Sequence, residues 1–288
     1  MFDTAYSAQT PDAIRAAARA ALDAAGRGSD PSSWTLVEHG SSNVVVLTGD
    51  AAVRVARSSR AATESRRAQR LIDALPDLPF AVPRSLSPAV EVNGVTAIVQ
   101  ARIHGSPHEP GSGDPAAVAG LLEAIRTVPI AGIAPYLAAP RAFMGGESWH
   151  ERMHRDVIPL LLRSVRDEAR RRVDALAQLE VVPPALTHGD LAGANVLWHD
   201  GRVAGVLDWD LATAHDTADD IASLASWHGW ESVAASANAD DLRRARVIAV
   251  THILQPIAFS LIEGRPAEEV SRGVQRANAR LSTRAITR

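Results

Sequence analysis

The stretch Leu186–Trp198, with Gly205–Asp210 behind it, constrains this chain more than any other. Two short apolar runs flank His199-Asp200-Gly201-Arg202. Asp-Gly between β-prone runs marks a hairpin turn. Closing the hairpin there sets Asn195 opposite Val206, with Asp208 diagonally across from Asn195. The period of two puts both side chains on one face. Diagonal neighbours lie about 7–8 Å apart, close enough to share one ion. Asp190 stands in the loop just before the first strand, at the same end of the hairpin. Two hard oxygen ligands beside a further carboxylate suit a Mg²⁺-phosphate site.

The same residues carry a resemblance. His188-Gly189-Asp190, Asn195 five residues after the aspartate, and Asp208-Trp209-Asp210 at the end of the next strand resemble the catalytic segment of the aminoglycoside phosphotransferase family, relatives of protein kinases. The resemblance implies an α+β, bilobal, protein-kinase-like fold, with a mainly antiparallel β-sheet N-lobe and a helical C-lobe. It implies that Asp190 is the base on a substrate hydroxyl and that His188 braces the loop. It also implies that Asn195 and Asp208 hold Mg²⁺ on nucleotide phosphates, with Asp210 as a second acid near the metal. Asp216-Thr217-Ala218-Asp219-Asp220 resembles a further family motif, in which Asp220 braces the catalytic loop.

Composition narrows the partners. The 288 residues are enough for one large domain or two lobes. A net charge of −3 argues against a nucleic-acid partner. No apolar run is long enough to span a bilayer, and the start has no basic-then-apolar leader, so the expected location is cytoplasmic. Cysteine is absent, which excludes disulfides and thiolate chemistry, and every basic side chain other than histidine is arginine.

Thr10-Pro11 predicts the start of a helix with Ile14, Ala17, Ala18, Ala21 and Leu22 on its apolar face. Short β-type runs follow. The turn Gly40, Ser41, Ser42, Asn43 is placed to lay backbone N–H groups over phosphates. Arg54 stands mid-strand between Val53 and Val55, where kinase-like folds put a phosphate-binding lysine; its guanidinium can grip phosphate oxygens in pairs. A helix is expected from Thr63 to Leu75, capped by Thr63, with Glu64 pairing with Arg54. Leu78-Pro79-Phe80-Ala81-Val82-Pro83 resembles the macrolide phosphotransferases within the family, whereas Asn195 differs from the histidine those enzymes carry. Asn93-Gly94 predicts a second hairpin. Gln100, Arg102 and Ile103 occupy the hinge, at about residues 100–104, where backbone groups would meet the nucleotide base. The expected division is residues 1–103 for the nucleotide lobe and 104–288 for the helical lobe.

The remainder reads as helices. One runs from about Ser148 to Leu179, broken at Pro159. His150, His154 and Arg155 on it read as a solvated face. Between Val203 and Leu242 there is no Lys or Arg, but there are eight acids: Asp208, Asp210, Asp216, Asp219, Asp220, Glu231, Asp240 and Asp241. Such a block suits a cationic substrate.

The expected activity is transfer of the γ-phosphoryl group of ATP or GTP to a hydroxyl of a small, cationic antibiotic, macrolide or aminoglycoside. Kinases of choline, homoserine or fructosamine type share the fold and stand as alternatives. A catalytically silent kinase-like binding module is the rival from another class.

Overall fold

In the run Ala51–Ala56, Val53 and Val55 are fully buried on one face and Arg54 points from the other. That alternation organises the first layer. The computed structural model describes residues 9–285 apart from Ser29, His39, Ser41 and Ala192. Strands β1 (Thr35–Val37), β2 (Asn43–Leu47), β3 (Ala51–Ala56), β4 (Val90–Val92) and β5 (Val95–Ala101) form an antiparallel sheet in the order β1-β2-β3-β5-β4. Helix α1 (Pro11–Ala24) covers the face of Val53 and Val55. Thr10 caps it by accepting from the Ala13 N–H at 3.3 Å. Its buried stripe is Ile14, Ala17, Ala18, Ala21 and Leu22, as the periodicity predicts; three small alanines let the helix lie close to the valines.

The other face of the sheet carries the polar work. Register pairs Val45 with Arg54 and Arg54 with Ile98, so Asn43, Arg54 and Gln100 share this face. Helix α2 (Ser59–Ala74) packs against it, bonding Ser65 to Asn43 at 3.0 Å and Gln69 to Gln100 at 2.7 Å. The helix begins earlier than the expected Thr63. Ser58 is extended and its hydroxyl accepts from the Ala61 N–H at 3.1 Å, whereas Thr63 donates back to the Ser59 carbonyl. Leu71 and Ile72 of α2, and Leu75 just past its end, enter a second core, shared with the later helices.

That second core gathers α3 (Pro115–Arg126), α5 (Arg163–Ala177), α6 (Ala218–His228), the short α7 (Trp230–Val233), α8 (Ala239–Ala249), α9 (Gln255–Ile262) and α10 (Ala267–Ala285). Between α3 and α5 lies the short α4 (Trp149–Arg152), then a π-turn, Met153–Val157, and a tight turn, Ile158–Leu160. The break falls where Pro159 offers no N–H. Two small antiparallel sheets accompany the helices. One joins β7 (Ala185–Thr187) to β10 (Thr213–His215); the other orders β6 (Ser106–Pro107), β8 (Val196–His199) and β9 (Arg202–Val206) as β6-β8-β9. Both expected Gly turns form, with positive φ at Asn93 and Gly94 and at Asp200 and Gly201. Among the described residues no helix is long and apolar enough to cross a membrane.

Candidate active site

The hairpin closes at Asp200-Gly201, but its register differs from strict alternation. Trp198 pairs with Val203, whereas Leu197 pairs with Gly205 and Val196 with Val206, so a bulge lies between Leu197 and Trp198. Asn195 therefore does not face Val206. It ends the turn Gly193–Asn195, and its carbonyl accepts from the Leu207 N–H at 2.8 Å. A bulge inserts one residue on one strand, which a period-two pattern cannot register. Asp208 lies just beyond β9 in the left-handed region, φ 59 and ψ 65. Aspartate is among the few residues that occupy that region, and strain of this kind gathers at functional sites.

Gly189 precedes Asp190 with φ +81, and a Cβ there would stand 2.8 Å from the Leu211 carbonyl oxygen. The loop is pinned from behind. Asp220, at the start of α6, accepts from the N–H groups of His188 at 2.8 Å and Gly189 at 2.9 Å. Burial pushes the Asp220 carboxyl up to about 7, and those two bonds pull the other way. His188 is fully buried, and burial holds it down at about 4, so the imidazole is neutral. Its Nε2–H donates to the Leu207 carbonyl at 2.8 Å, and Nδ1 accepts from the Asp190 N–H at 3.2 Å. The ring packs edge-on against the fully buried Trp209 at 4.8 Å. Asn195 Nδ2 donates to both the backbone oxygen and Oδ2 of Asp190, each at 2.9 Å. That orientation turns Asn195 Oδ1 toward other partners. Burial raises the Asp190 pKa, partly offset by Asn195.

Arg54 does not pair with Glu64. It binds Asp210 bidentately, at 2.9 and 2.6 Å, and reaches Asp208 at 3.4 Å. Burial alone would lower the Arg54 pKa, but Asp210 and Asp208 raise it. Asp208 is pushed up, first by burial and then by Asp210; Arg54 outweighs burial at Asp210 and holds it down. Glu64 is half exposed and binds Arg67 at 2.9 Å, one helical turn on. Arg67 in turn donates to the backbone oxygens of Asp210 at 2.5 Å and Tyr136 at 2.7 Å. Glu64 thus reaches the site only through Arg67, which the motif reading missed. Its only signal was the Glu64-x-x-Arg67 spacing.

A cleft of about 490 Å³ lies between the sheet and the hairpin. It brings together Gly40, Ser42, Asn43, Arg54, Gln100, Arg102, Ile103, Asp190, Asn195, Asp208 and Asp210. Glu64 and His188 do not line it, and Ser41 lies outside the described residues. Several side chains in it are already engaged. Asn43 accepts from Ser65, Gln100 donates to Gln69, and Arg102 binds the Thr48 carbonyl. The backbone N–H of Arg102 bonds to Asp50 at 3.0 Å. Arg57 donates to the carbonyls of Gly40 and Glu38 and so holds the glycine turn. The Leu78–Pro83 run docks on the hairpin: Ala81 exchanges bonds of 3.0 Å with Ala204 and Val206, and Pro83 lines this cleft.

A second cavity of about 380 Å³ opens on the other side of Asp190. Asp190, Leu211 and Phe259 line both. Its wall is largely apolar, with Ala138, Ala142, Phe143 and Pro256, and its charged groups are Asp190, Asp219 and Arg141. The acidic block is therefore mostly spent inside the protein. Arg244 clamps Asp216 at 2.7 and 3.1 Å and Asp241 at 2.7 Å, Asp220 holds the loop, and Asp208 and Asp210 hold Arg54. Glu231 is exposed at the start of a short helix and lines neither cavity. Asp219, bonded to His215 at 2.8 Å, is the acid of the block that lines this wall. His150 and His154 lie outside both cavities.

The geometry can be set beside known proteins. The model described as "Phosphotransferase enzyme family" matches residues 33–257. Viomycin phosphotransferase of Streptomyces vinaceus is 34% identical over 129 residues, 41% of this chain and 45% of that protein, so the match spans about half of the relative's length. The GDP complex of aminoglycoside 2'-phosphotransferase-IIIa superposes with a TM-score of 0.76, covering 95% of this chain and 99% of that one at 16% identity. Macrolide 2'-phosphotransferase from Brachybacterium faecium superposes at 0.66, covering 90% and 98% at 20% identity. At these identities the structures establish the fold, which is kinase-like and α+β, with an antiparallel sheet first and helices after it.

Proposed function

Because this chain belongs to the phosphotransferase enzyme family, we propose that it moves the γ-phosphoryl group of ATP or GTP onto a hydroxyl of an antibiotic-sized molecule. One observation carries the reading: Asp190 lies in the wall common to two cavities. One has the arginine, the amide and the paired acids that suit a nucleotide; the other is mostly apolar, with Asp219 as its acid beyond Asp190. In this reading residues 1–103 form the nucleotide lobe and residues 104–288 carry the catalytic loop and the acceptor cavity. Of the hinge groups, we assign the base to the backbone of Ile103, since the Arg102 N–H is bonded to Asp50.

Mg²⁺ fits the donor set. Asn195 Oδ1, Asp208 and Asp210 are hard oxygen ligands, and two neighbouring carboxylates call for a cation between them. Bound there, Mg²⁺ would neutralise charge on the phosphates. Arg54 already answers part of that charge, and on nucleotide binding its fork is free to divide between Asp210 and phosphate oxygens. Asp190 accepts the acceptor's hydroxyl proton, its pKa raised by burial and its carboxylate oriented by Asn195. His188, neutral, and Asp220 fix the loop rather than exchange protons.

The acceptor cavity favours a bulky molecule with an apolar face and an amine for Asp219. Macrolides, aminoglycosides and viomycin, the substrate in the relative's name, are the acceptors to screen first, with ATP and GTP in parallel. The test pairs that screen with Asp190→Asn. The amide keeps the shape and cannot take the proton, so kcat should fall by roughly 10²–10⁴ with nucleotide affinity kept. Near-parental kcat in the variant would remove Asp190 from the base role. No Mg²⁺-dependent turnover with any acceptor would favour a silent binding module.

A further inference from the structure

A second cluster of ligand-type side chains lies away from both cavities. The stretch His150-Glu151-Arg152-Met153-His154 has the His-Glu-x-x-His spacing, which sets two imidazoles on one helical face. His150 sits in α4 and His154 in the π-turn after it, a backbone device found often at functional sites. Both rings aim at α5. His150 Nε2 lies 2.9 Å and His154 Nε2 2.8 Å from the same Oδ1 of Asp174. The three ligand atoms all lie within 4.8 Å of one another. Around a tetrahedral ion with bonds of about 2.0–2.1 Å, ligand atoms are about 3.3 Å apart, so each need move only a fraction of an ångström.

We propose that His150 Nε2, His154 Nε2 and Asp174 Oδ1 bind a transition-metal ion of the Zn²⁺ class, with solvent in the fourth position. Two imidazoles and one carboxylate are a borderline donor set, which favours Zn²⁺ and its neighbours over Mg²⁺ or Ca²⁺. The side chains are 31–45% exposed, so an ion can enter from solvent. Each neutral ring carries one proton. The bonds to Asp174 place it on Nε2, and coordination moves it to Nδ1, leaving Nε2 as the ligand. Glu151 is turned to Arg155 at 2.7 Å, so the motif is assigned no hydrolytic step here. The ion's role is a clamp. It ties α4 to α5, and Trp149 of α4 packs edge-on to His150 at 5.5 Å while holding the Arg141 guanidinium over its ring at 4.8 Å. Arg141 lines the acceptor cavity, so the clamp stiffens one wall of it.

The site is tested by titrating the full chain, free of tags and stripped with chelator, with ZnCl₂ in calorimetry. One equivalent should bind. His154→Gln and Asp174→Asn should each weaken binding at least tenfold, since even an outer-shell partner is worth about 10–100-fold. His199→Gln, at an exposed histidine elsewhere, should change nothing. Imidazole ¹H–¹⁵N spectra of the parent should show His150 and His154 switching from the Nε2–H to the Nδ1–H form on adding Zn²⁺. Millimolar Mg²⁺ should not displace the ion. No uptake by the parent, equal uptake by both variants, or displacement by Mg²⁺ would each overturn the site. None of these measurements depends on phosphoryl transfer.

Discussion

At the scale of single residues, Arg54 is the hub of the charge network. It is nearly buried between two carboxylates, one of them, Asp208, half exposed in the cleft. Removing a buried partner costs up to about 3–5 kcal/mol, and the open side of Asp208 reduces that. Arg54→Ala should therefore lose roughly 1–3 kcal/mol in chemical denaturation, whereas Arg54→Lys, charged but without the fork, should lose less. Glu64→Gln should stay within about 0.5 kcal/mol, because its carboxylate is at the surface and meets Arg67 rather than Arg54. If Glu64→Gln costs as much as Arg54→Ala, the pairing drawn here is wrong. His188 gives a pH dependence with a definite sign. The unfolded chain takes up this proton near 6.5 and the folded one near 4. The stability it contributes is full above 6.5 and is lost as pH falls toward 4, on the order of 3 kcal/mol. His188→Gln keeps a donor for the Leu207 carbonyl and should flatten that part of the curve of denaturation midpoint against pH.

At the scale of elements, the hairpin is held from two sides, and Gly205 makes that possible. A Cβ there would lie 2.6 Å from Ile103 Cγ2 and 2.8 Å from the Ala81 carbonyl oxygen. The backbone of β9 can thus approach both Ile103 and the Leu78–Pro83 run only with glycine at this position. Gly205→Ala should destabilise by about 1–3 kcal/mol through overpacking. It should also raise the nucleotide KM, because the side chain that must give way belongs to the hinge. A variant with parental stability and parental nucleotide KM would show that the hinge yields freely. The Leu78–Pro83 run therefore bears on the larger cleft, which Pro83 lines, and not on the second cavity. Its likeness to macrolide enzymes is no argument about the acceptor.

At the scale of the whole molecule, charge is arranged by pairing rather than by sequence proximity. The acids between Val203 and Leu242 look like one negative surface in the linear chain. In the fold, Arg54 from β3 and Arg244 from α8 neutralise four of them: Asp208, Asp210, Asp216 and Asp241. What faces the second cavity is Asp219 and Asp190, opposed by Arg141. For a cationic acceptor, Asp219→Asn should raise KM with kcat little changed, the mark of lost uniform binding. Glu231→Gln should leave both alone. A KM that responds to Glu231 and ignores Asp219 would move the amine to the outer surface.

The sequence alone determined the local geometry. Asp-Gly and Asn-Gly set their turns because few residues accept positive φ, Thr10-Pro11 started α1, and alternation put Arg54 opposite Val53 and Val55. It also brought Asp190, Asn195 and Asp208 into one cleft, since they lie within one loop and hairpin. Tertiary structure decided the rest. The partner of Arg54 and the bridge through Arg67 depend on contacts between elements far apart in the chain, whereas the bulge at Leu197 and Trp198 and the meeting of His150, His154 and Asp174 depend on how neighbouring elements pack. A side-chain partner is chosen by which charges come within a few ångströms after packing, and no short-range pattern encodes that distance.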